Sequence, residues 1–484
     1  MVSLPQGKVP KAGSPVEPAP QPQQSPLLSA ILPSTSTSTS TSRTATADPA
    51  RGSEPLRIAY LVYRGNPRCG GQGVYTRYLT RELVALGHEV EVLSGPPYPE
   101  LDPGVRFTAV PSLDLYREPD PFRIPSPSEF KSSIDLLEFA TMCVAGFPEP
   151  KTFSLRARRI LAARRPEFDL IHDNQCFGSG LIGMMADGWP LLATLHHPIT
   201  VDRDLELSHA GSPWRRMTLR RWYGFLRMQR RVARKVPRIV TVSHSSKRDI
   251  AAQMGVDPNR IDVVPVGVDH TVFRPLPSIR RIPGRLMTTA SADVPLKGLV
   301  PLLEAVAKVK TFNDVELVVI GRLREKSPVG QTIRRLGLNG NVRFVTGVSD
   351  EEIVKLYAEA ELAVVPSLYE GFSLPAVEAM ACGVPLVATT GGALPEVVGD
   401  NGVTGLLVPP GDSSALAGAI LGALGDPVLR QRLGEAGRRR VLTRFTWRAT
   451  AEGTVEQYRL LLEACRPSSM AGAVQLPEEI SAHG

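Results

Sequence analysis

The sequence predicts an α/β protein of two doubly wound, Rossmann-like domains facing each other across a cleft. Strand-like apolar runs alternate with helix-like segments in two successive series, and a Pro- and Arg-rich break separates the series. At 484 residues the chain is also too long for one hydrophobic core. The runs are near-continuously apolar rather than alternating, the pattern of parallel strands covered by helices on both faces.

Taken in order, residues 1–54 are rich in Pro, Gln, Ser and Thr and carry the repeat STSTSTSTS. Such a segment has too little apolar surface to offset chain entropy, so it is expected to be disordered. The first domain, residues 55–270, opens on LRIAYLVY and continues with VEVLSG, RFTAVP, FDLIHDN, PLLATLHH, RIVTVSHS and IDVVPVG as strands. After the break FRPLPSIRRIPG, the second domain, residues 271–446, runs through RLMTTAS, VELVVIG, VRFVTG, ELAVVP, PLVATT and GLLVPP. Residues 447–466 read as a helix and residues 467–484 as a loose tail. Ligands of open α/β sheets bind beyond the carboxyl ends of the strands, which places the site between the domains.

The hydrophobic share of 42% is that of a soluble globular protein. Five cysteines (Cys69, Cys143, Cys176, Cys382 and Cys465) are odd in number and widely spaced, against a disulfide framework or a metal site and in favour of a reducing cytosol. No apolar run reaches membrane-span length, and the opening residues lack the apolar core of a signal peptide. A cytoplasmic location follows, with contact at the inner membrane face kept open by the net charge of +8.

Glu370 and Glu378 stand eight residues apart in YEGFSLPAVEAMACG. Pro375 suits the first turn of a helix, so Glu378 falls on that helix, and the N–H groups of Gly371, Phe372, Ser373 and Leu374 gather at its N-terminus. One segment thus offers a phosphate cradle and two carboxylates able to accept hydrogen bonds from vicinal hydroxyls. In the first domain Gly70, Gly71 and Gly73 form a Gly-rich strand-to-helix turn without the spacing of a dinucleotide fingerprint, which argues against nicotinamide or flavin. His196 and His197 close one strand, and His172, Asp173 and Asn174 close another, at the edge facing the cleft.

The stretch from VRFVTG to LLVPPGD closely resembles the donor-binding half of family 4 glycosyltransferases, whose E-x7-E signature it matches over some 70 residues. The segment NPRCGGQGVYTRYLTRELVALGHEVEVLSG resembles their first domain. The resemblance implies the GT-B fold, with residues 447–466 crossing back onto the first domain. It also implies a retaining, metal-independent transfer of a sugar from a nucleotide-diphosphate sugar to a hydroxyl acceptor (a glycan, lipid-linked or small molecule), with no cofactor. Glu370 would contact the donor sugar, Glu378 the ribose, Gly371 to Leu374 the phosphates, and Lys297 the diphosphate. Gly71 and Gln72 would border donor and acceptor, and His196 would bond a sugar. His172, Asn174 and His197 are candidate acceptor contacts. The chain departs from the family at Ser373, where Gly is usual, and at Ser291, where a second cation is usual. Arg322 is a candidate substitute for that cation. A degenerate transferase that binds sugar nucleotide without efficient turnover, and an inverting enzyme or epimerase of similar fold, are the rival readings.

Between residues 213 and 238 Arg and Lys are interleaved with Trp214, Trp222, Tyr223 and Phe225. The preferred reading is a domain helix that buries its apolar stripe; the alternative is a helix lying on an anionic bilayer. No nucleic-acid-binding pattern accompanies the charge.

Overall fold

In the computed structural model, which describes residues 54–66, 71–117, 120, 122–208, 210–290, 294–323 and 327–466, the apolar runs become the strands of two parallel sheets. Of the expected tails, 1–54 and 467–484, all but Glu54 lie outside the described residues, as do Cys69, Gly70 and Ser291.

The first half runs β1 (Arg57–Val62), α1 (Gln72–Ala85), β2 (Glu89–Ser94), β3 (Arg106–Ala109), α2 (Ser133–Cys143), α3 (Glu149–Ala162), β4 (Leu170–Asn174), α4 (Gly180–Ala186), β5 (Leu191–Thr194), α5 (Thr200–Ser208), α6 (Pro213–Trp222), α7 (Leu226–Ala233), β6 (Arg238–Thr241), α8 (His244–Met254) and β7 (Ile261–Val263). The second runs β8 (Ile282–Thr289), α9 (Leu299–Val309), β9 (Glu316–Ile320), α10 (Pro328–Arg335), β10 (Val342–Val345), α11 (Asp350–Glu359), β11 (Ala360–Val365), α12 (Leu374–Ala381), β12 (Leu386–Thr389), α13 (Leu394–Val398), β13 (Leu406–Val408), α14 (Ser413–Gly425), α15 (Pro427–Arg444) and α16 (Trp447–Cys465).

Strand order is β3-β2-β1-β4-β5-β6-β7 in one sheet and β10-β9-β8-β11-β12-β13 in the other. β1 lies between β2 and β4, with Ile58 opposite both Val90 and Leu170; β8 lies between β9 and β11. Order therefore reverses between β1 and β4, and again between β8 and β11. These are the switch points at which such sheets leave a crevice for ligand.

α16 starts from Thr446, whose hydroxyl accepts from Ala449 N at 3.1 Å, and packs against α1, β5 and β6 of the first sheet. Its Trp447 ring stacks on Tyr78 (5.3 Å, 15°), and its Thr450 hydroxyl donates to the Pro265 carbonyl at 2.8 Å. One buried cluster runs from Tyr60 and Leu79 through Val266, Trp447 and Tyr458 to Phe372 and Met380. Truncating a buried Trp of this kind costs roughly 3–5 kcal/mol. The two sheets are thus tied by packing as well as by the chain.

The stretch expected to be one basic domain helix is two. α6 has no buried residue, whereas α7 buries Leu226, Gln229, Val232 and Ala233. The break at Tyr223–Phe225 buries Tyr223, whose hydroxyl donates to Glu206 at 3.0 Å. Burial of the apolar stripe therefore holds for the second half only, and Trp214 is left 73% exposed.

Candidate active site

The turns leaving β1, β4, β5, β8, β11 and β12 build the site, and β1 with β4 and β8 with β11 flank the two switch points. After β1, Gly71 caps α1 with φ 70°, a conformation that favours glycine. A Cβ on Gly73 would sit 2.1 Å from the Asn66 carbonyl, so only glycine lets the turn close over the strand end. Gly71 and Gln72 line a cleft of about 410 Å³ together with His196, His197, Lys297, Glu370 and residues 371–375.

After β4, buried Asn174 fixes the chemistry of His196. Its Nδ2 donates to Thr76 Oγ1 at 3.1 Å and to the Gln72 carbonyl at 3.4 Å, while its Oδ1 faces His196 Nε2 at 3.0 Å. A carbonyl can only accept, so the amide nitrogen faces Gln72 and the proton of His196 resides on Nε2. Nδ1 is left as an acceptor. Burial, and then the neighbouring His197, lower the His196 pKa to about 3, so the ring is neutral at physiological pH. Its other supports are Tyr75, edge-on at 4.6 Å, and Gln175, whose side chain accepts from His196 N at 3.0 Å.

His172 is not an acceptor contact. It is fully buried, and both ring nitrogens are engaged: Nδ1 with the Tyr458 hydroxyl at 2.6 Å and Nε2 with Thr194 Oγ1 at 2.7 Å. Asn174 is likewise fully buried and acts on His196 rather than on the acceptor. Strand periodicity explains both, since residues two apart share a face and this face carries α1 and α16.

In the second domain Gly298 has φ 65°, and a Cβ there would lie 1.9 Å from the Pro366 carbonyl. The turn bearing Lys297 can therefore press against the exit of β11, where Leu368 N donates to the Leu296 carbonyl at 2.7 Å. Lys297 Nζ meets Glu370 Oε1 at 2.8 Å, and Ser367 Oγ donates to the same oxygen at 2.7 Å. From the loop after β12, Ala393 N donates to the Glu370 carbonyl at 2.8 Å. Gly392 (φ 64°) makes this approach possible, because a Cβ there would lie 2.2 Å from that carbonyl.

α12 begins where the sequence places it, with Pro375 in its first turn. Among the described residues the N–H groups of Phe372, Ser373 and Leu374 find no hydrogen-bond partner, although Phe372 and Ser373 are buried. Ser373 holds φ 97°, unusual without glycine, and its buried Oγ has no partner among the described residues. Three open donors at a helix N-terminus beside a lysine make an anion cradle. Further along α12, burial and then the Asp350 carboxylate raise the Glu378 pKa to about 7.

Arg322 does not join this group. It is exposed beyond β9, does not line the cleft and makes no ion pair among the described residues. Sequence reasoning missed Tyr75, Gln175 and Trp447, which line the cleft. Glu396 accepts from His244 N and Ser245 N, each at 2.7 Å, and so joins the domains at the start of α8. A Ser immediately before a helical run is a readable capping signal, and Ser243 carries it here.

No group of three or more His, Cys, Asp or Glu side chains suited to a metal ion occurs among the described residues. Among them, no helix is long and apolar enough to cross a membrane.

Two facing parallel sheets with an anion cradle and neutral polar groups at their switch points define a GT-B architecture. The same fold is seen in a sucrose-phosphate synthase from Thermosynechococcus elongatus (24% identical, TM-score 0.62, covering 84% of this chain and 100% of that one). It is seen again in HepE of Anabaena in complex with UDP-glucose (20% identical, TM-score 0.61, 84% and 100% covered). Residues 70–267 match the family model described as glycosyl transferase 4-like domain, and residues 283–440 that of glycosyl transferases group 1. An MMP alpha-(1->4)-mannosyltransferase of Mycolicibacterium hassiacum is 55% identical over 405 residues, 83% of this chain and 98% of that protein. The chain belongs to the group 1, family 4-type glycosyltransferases, and is a glycosyltransferase enzyme.

Proposed function

We propose that the enzyme transfers an α-mannosyl residue from a nucleotide-diphosphate donor to a sugar hydroxyl, with retention at the anomeric carbon and without a metal ion. The observation that carries this reading is the Lys297–Glu370 pair beside three unpaired amides at the start of α12, in a chain 55% identical to a mannosyltransferase across nearly all of that relative's length. A bound diphosphate competes with Glu370 for Lys297, and the freed carboxylate can then accept from hydroxyls of the donor sugar. Lys297 and the amides oppose the charge that develops as the diphosphate leaves, the kind of oriented stabilisation that usually supplies the largest catalytic contribution. His196, neutral with Nδ1 bare, accepts a sugar hydroxyl. Glu378 accepts from the ribose. The departing phosphate oxygen takes the proton of the attacking hydroxyl, so no separate base is required on the attacked face.

The test is a panel of GDP-, UDP- and ADP-linked mannose and glucose offered with an α-(1→4)-linked mannobiose acceptor, with and without chelator. The reading expects transfer from a mannosyl donor, an α-linked product and indifference to chelator. A β-linked product would overturn retention, and loss of activity that added divalent ion restores would overturn metal independence.

We further propose that α6 and its surroundings contact an anionic membrane surface from the cytoplasmic side, bringing the enzyme to a lipid-linked acceptor. Support comes from α6 burying nothing, from its Arg215, Arg216, Arg220 and Arg221, and from the exposed apolar side chains Trp214, Met217, Phe122, Ile124 and Val144 in the same domain.

A further inference from the structure

The Gly371 carbonyl points out of the second domain and is held by the first. Ser243 Oγ donates to it at 2.6 Å and Ser246 Oγ at 3.0 Å, and both serines are buried at the start of α8. Around this contact, Glu396 covers the first two amides of α8, and the Tyr369 hydroxyl bonds Asp249 on the same helix. A carboxylate at a helix N-terminus is favoured by the dipole, so the donor-side loops have a defined seat on α8.

A trans peptide is planar, with its C=O and N–H antiparallel. Pinning the Gly371 carbonyl against α8 therefore turns the Phe372 N–H the opposite way, away from α8. That N–H is the first of the three unpaired amides that form the cradle, and the next two follow it onto α12. Hydroxyls of the acceptor-side domain thus set the direction of a hydrogen-bond donor belonging to the donor-side domain. They can do so only while the two domains are in contact.

We propose that Ser243 and Ser246 are positioning residues that couple domain closure to completion of the anion cradle, so that the leaving diphosphate is fully stabilised only once the acceptor-bearing domain has closed. This rests on the reading of the α12 N-terminus as the diphosphate site. Coupling of this kind separates donor binding, which needs the second domain alone, from turnover, which needs both. It also limits loss of donor to water while the acceptor is absent.

The test uses the full chain and compares Ser246→Ala, Ser243→Asp and Ser243→Thr with wild type and with Lys297→Ala. Ser243 also caps α8, accepting from Ser246 N at 2.9 Å; Asp keeps that acceptor but cannot donate to a carbonyl, whereas Thr keeps both roles. Binding of UDP and GDP is read by calorimetry, and turnover by the donor–acceptor pair identified in the panel above. Ser246→Ala and Ser243→Asp are expected to lower kcat at least tenfold while the nucleoside diphosphate Kd stays within twofold of wild type, and Ser243→Thr to recover most of the loss. Wild-type kcat in folded Ser246→Ala and Ser243→Asp would overturn the coupling, as would parallel losses in Kd and kcat, which mark a plain binding contact. If Ser243→Asp fails to fold, Ser246→Ala, which leaves the cap intact, decides. If Lys297→Ala changes neither Kd nor kcat, the diphosphate site itself is misplaced, a failure distinguishable from that of the coupling.

Discussion

Lys297 and Glu370 meet at 2.8 Å although 73 residues separate them, because their turns leave adjacent parallel strands on either side of the switch point. Glu370 is almost wholly buried and Lys297 only partly so. The pair is therefore a preformed charge site open on one side, at which an incoming diphosphate can take over the lysine.

Replacing Lys297 by Ala should weaken nucleoside diphosphate binding and lower turnover at least tenfold, roughly 1.4 kcal/mol of transition-state stabilisation. The substitution also strips Glu370 of its cation, so some loss of thermal stability should accompany it. Steady-state kinetics with a thermal melt separates the two effects. A folded variant with wild-type kinetics would remove Lys297 from the site.

With Glu378 as the ribose contact of the proposed function, donor affinity is expected to depend on pH. Its pKa in the folded chain is raised from 4.5 to about 7, so its contribution to stability is complete below 4.5 and is lost as pH rises through 7. Ribose hydroxyls that donate to the ionised carboxylate pull the other way, favouring its deprotonation. Donor KM should consequently fall several-fold between pH 6 and 8, and Glu378→Gln should flatten the profile. A wild-type donor KM independent of pH over that window would sink the assignment.

The tautomer of His196 is a second observable. Nitrogen-15 shifts of the labelled ring should report Nε2–H in the wild type, held by Asn174. In Asn174→Ala the ring should sample both tautomers and kcat should fall roughly tenfold, about 1.4 kcal/mol, the net worth of one hydrogen bond. Finding Nδ1–H in the wild-type enzyme would refute the proton placement.

Much of this architecture was legible in the sequence, for a physical reason. Strands of a parallel sheet are buried on both faces, so each reads as an unbroken apolar run between turns, and LRIAYLV or ELAVVP needs no tertiary context to be recognised. The Glu370-to-Glu378 segment was legible because its turn, its Pro and its helix are local. What escaped was the partner of each side chain. In the sequence His172 and His196 both close apolar runs, yet His172 lies within β4 sealed under Tyr458, while His196 lies beyond the end of β5 and opens on the cleft. The hold of Ser243 and Ser246 on Gly371 spans 128 and 125 residues, and no local pattern encodes such a meeting. The basic stretch misled because composition does not reveal which turn of an amphipathic segment finds a core to cover it.

That uncovered segment gives the last prediction. Each Arg held near an anionic bilayer contributes about 1 kcal/mol of attraction, screened over a Debye length of roughly 10 Å at moderate salt. Arg220, Arg221, Arg227 and Arg231 are exposed and make no ion pair among the described residues, so reversing all four to Glu should leave the fold intact. Three of them, Arg221, Arg227 and Arg231, border a cavity of about 830 Å³ whose walls include Val144, Phe147 and Met228. The wild-type protein should sediment with phosphatidylserine vesicles at low ionic strength, ignore neutral vesicles, and release as salt is raised. The fourfold reversal should abolish binding with the melting temperature preserved. Trp214→Ala should weaken it without structural cost, because a side chain 73% exposed contributes little to the folded core. Should the wild type ignore anionic vesicles at low salt, or should the folded reversal variant bind them as well as wild type does, α6 is ordinary surface and the acceptor is a soluble glycan.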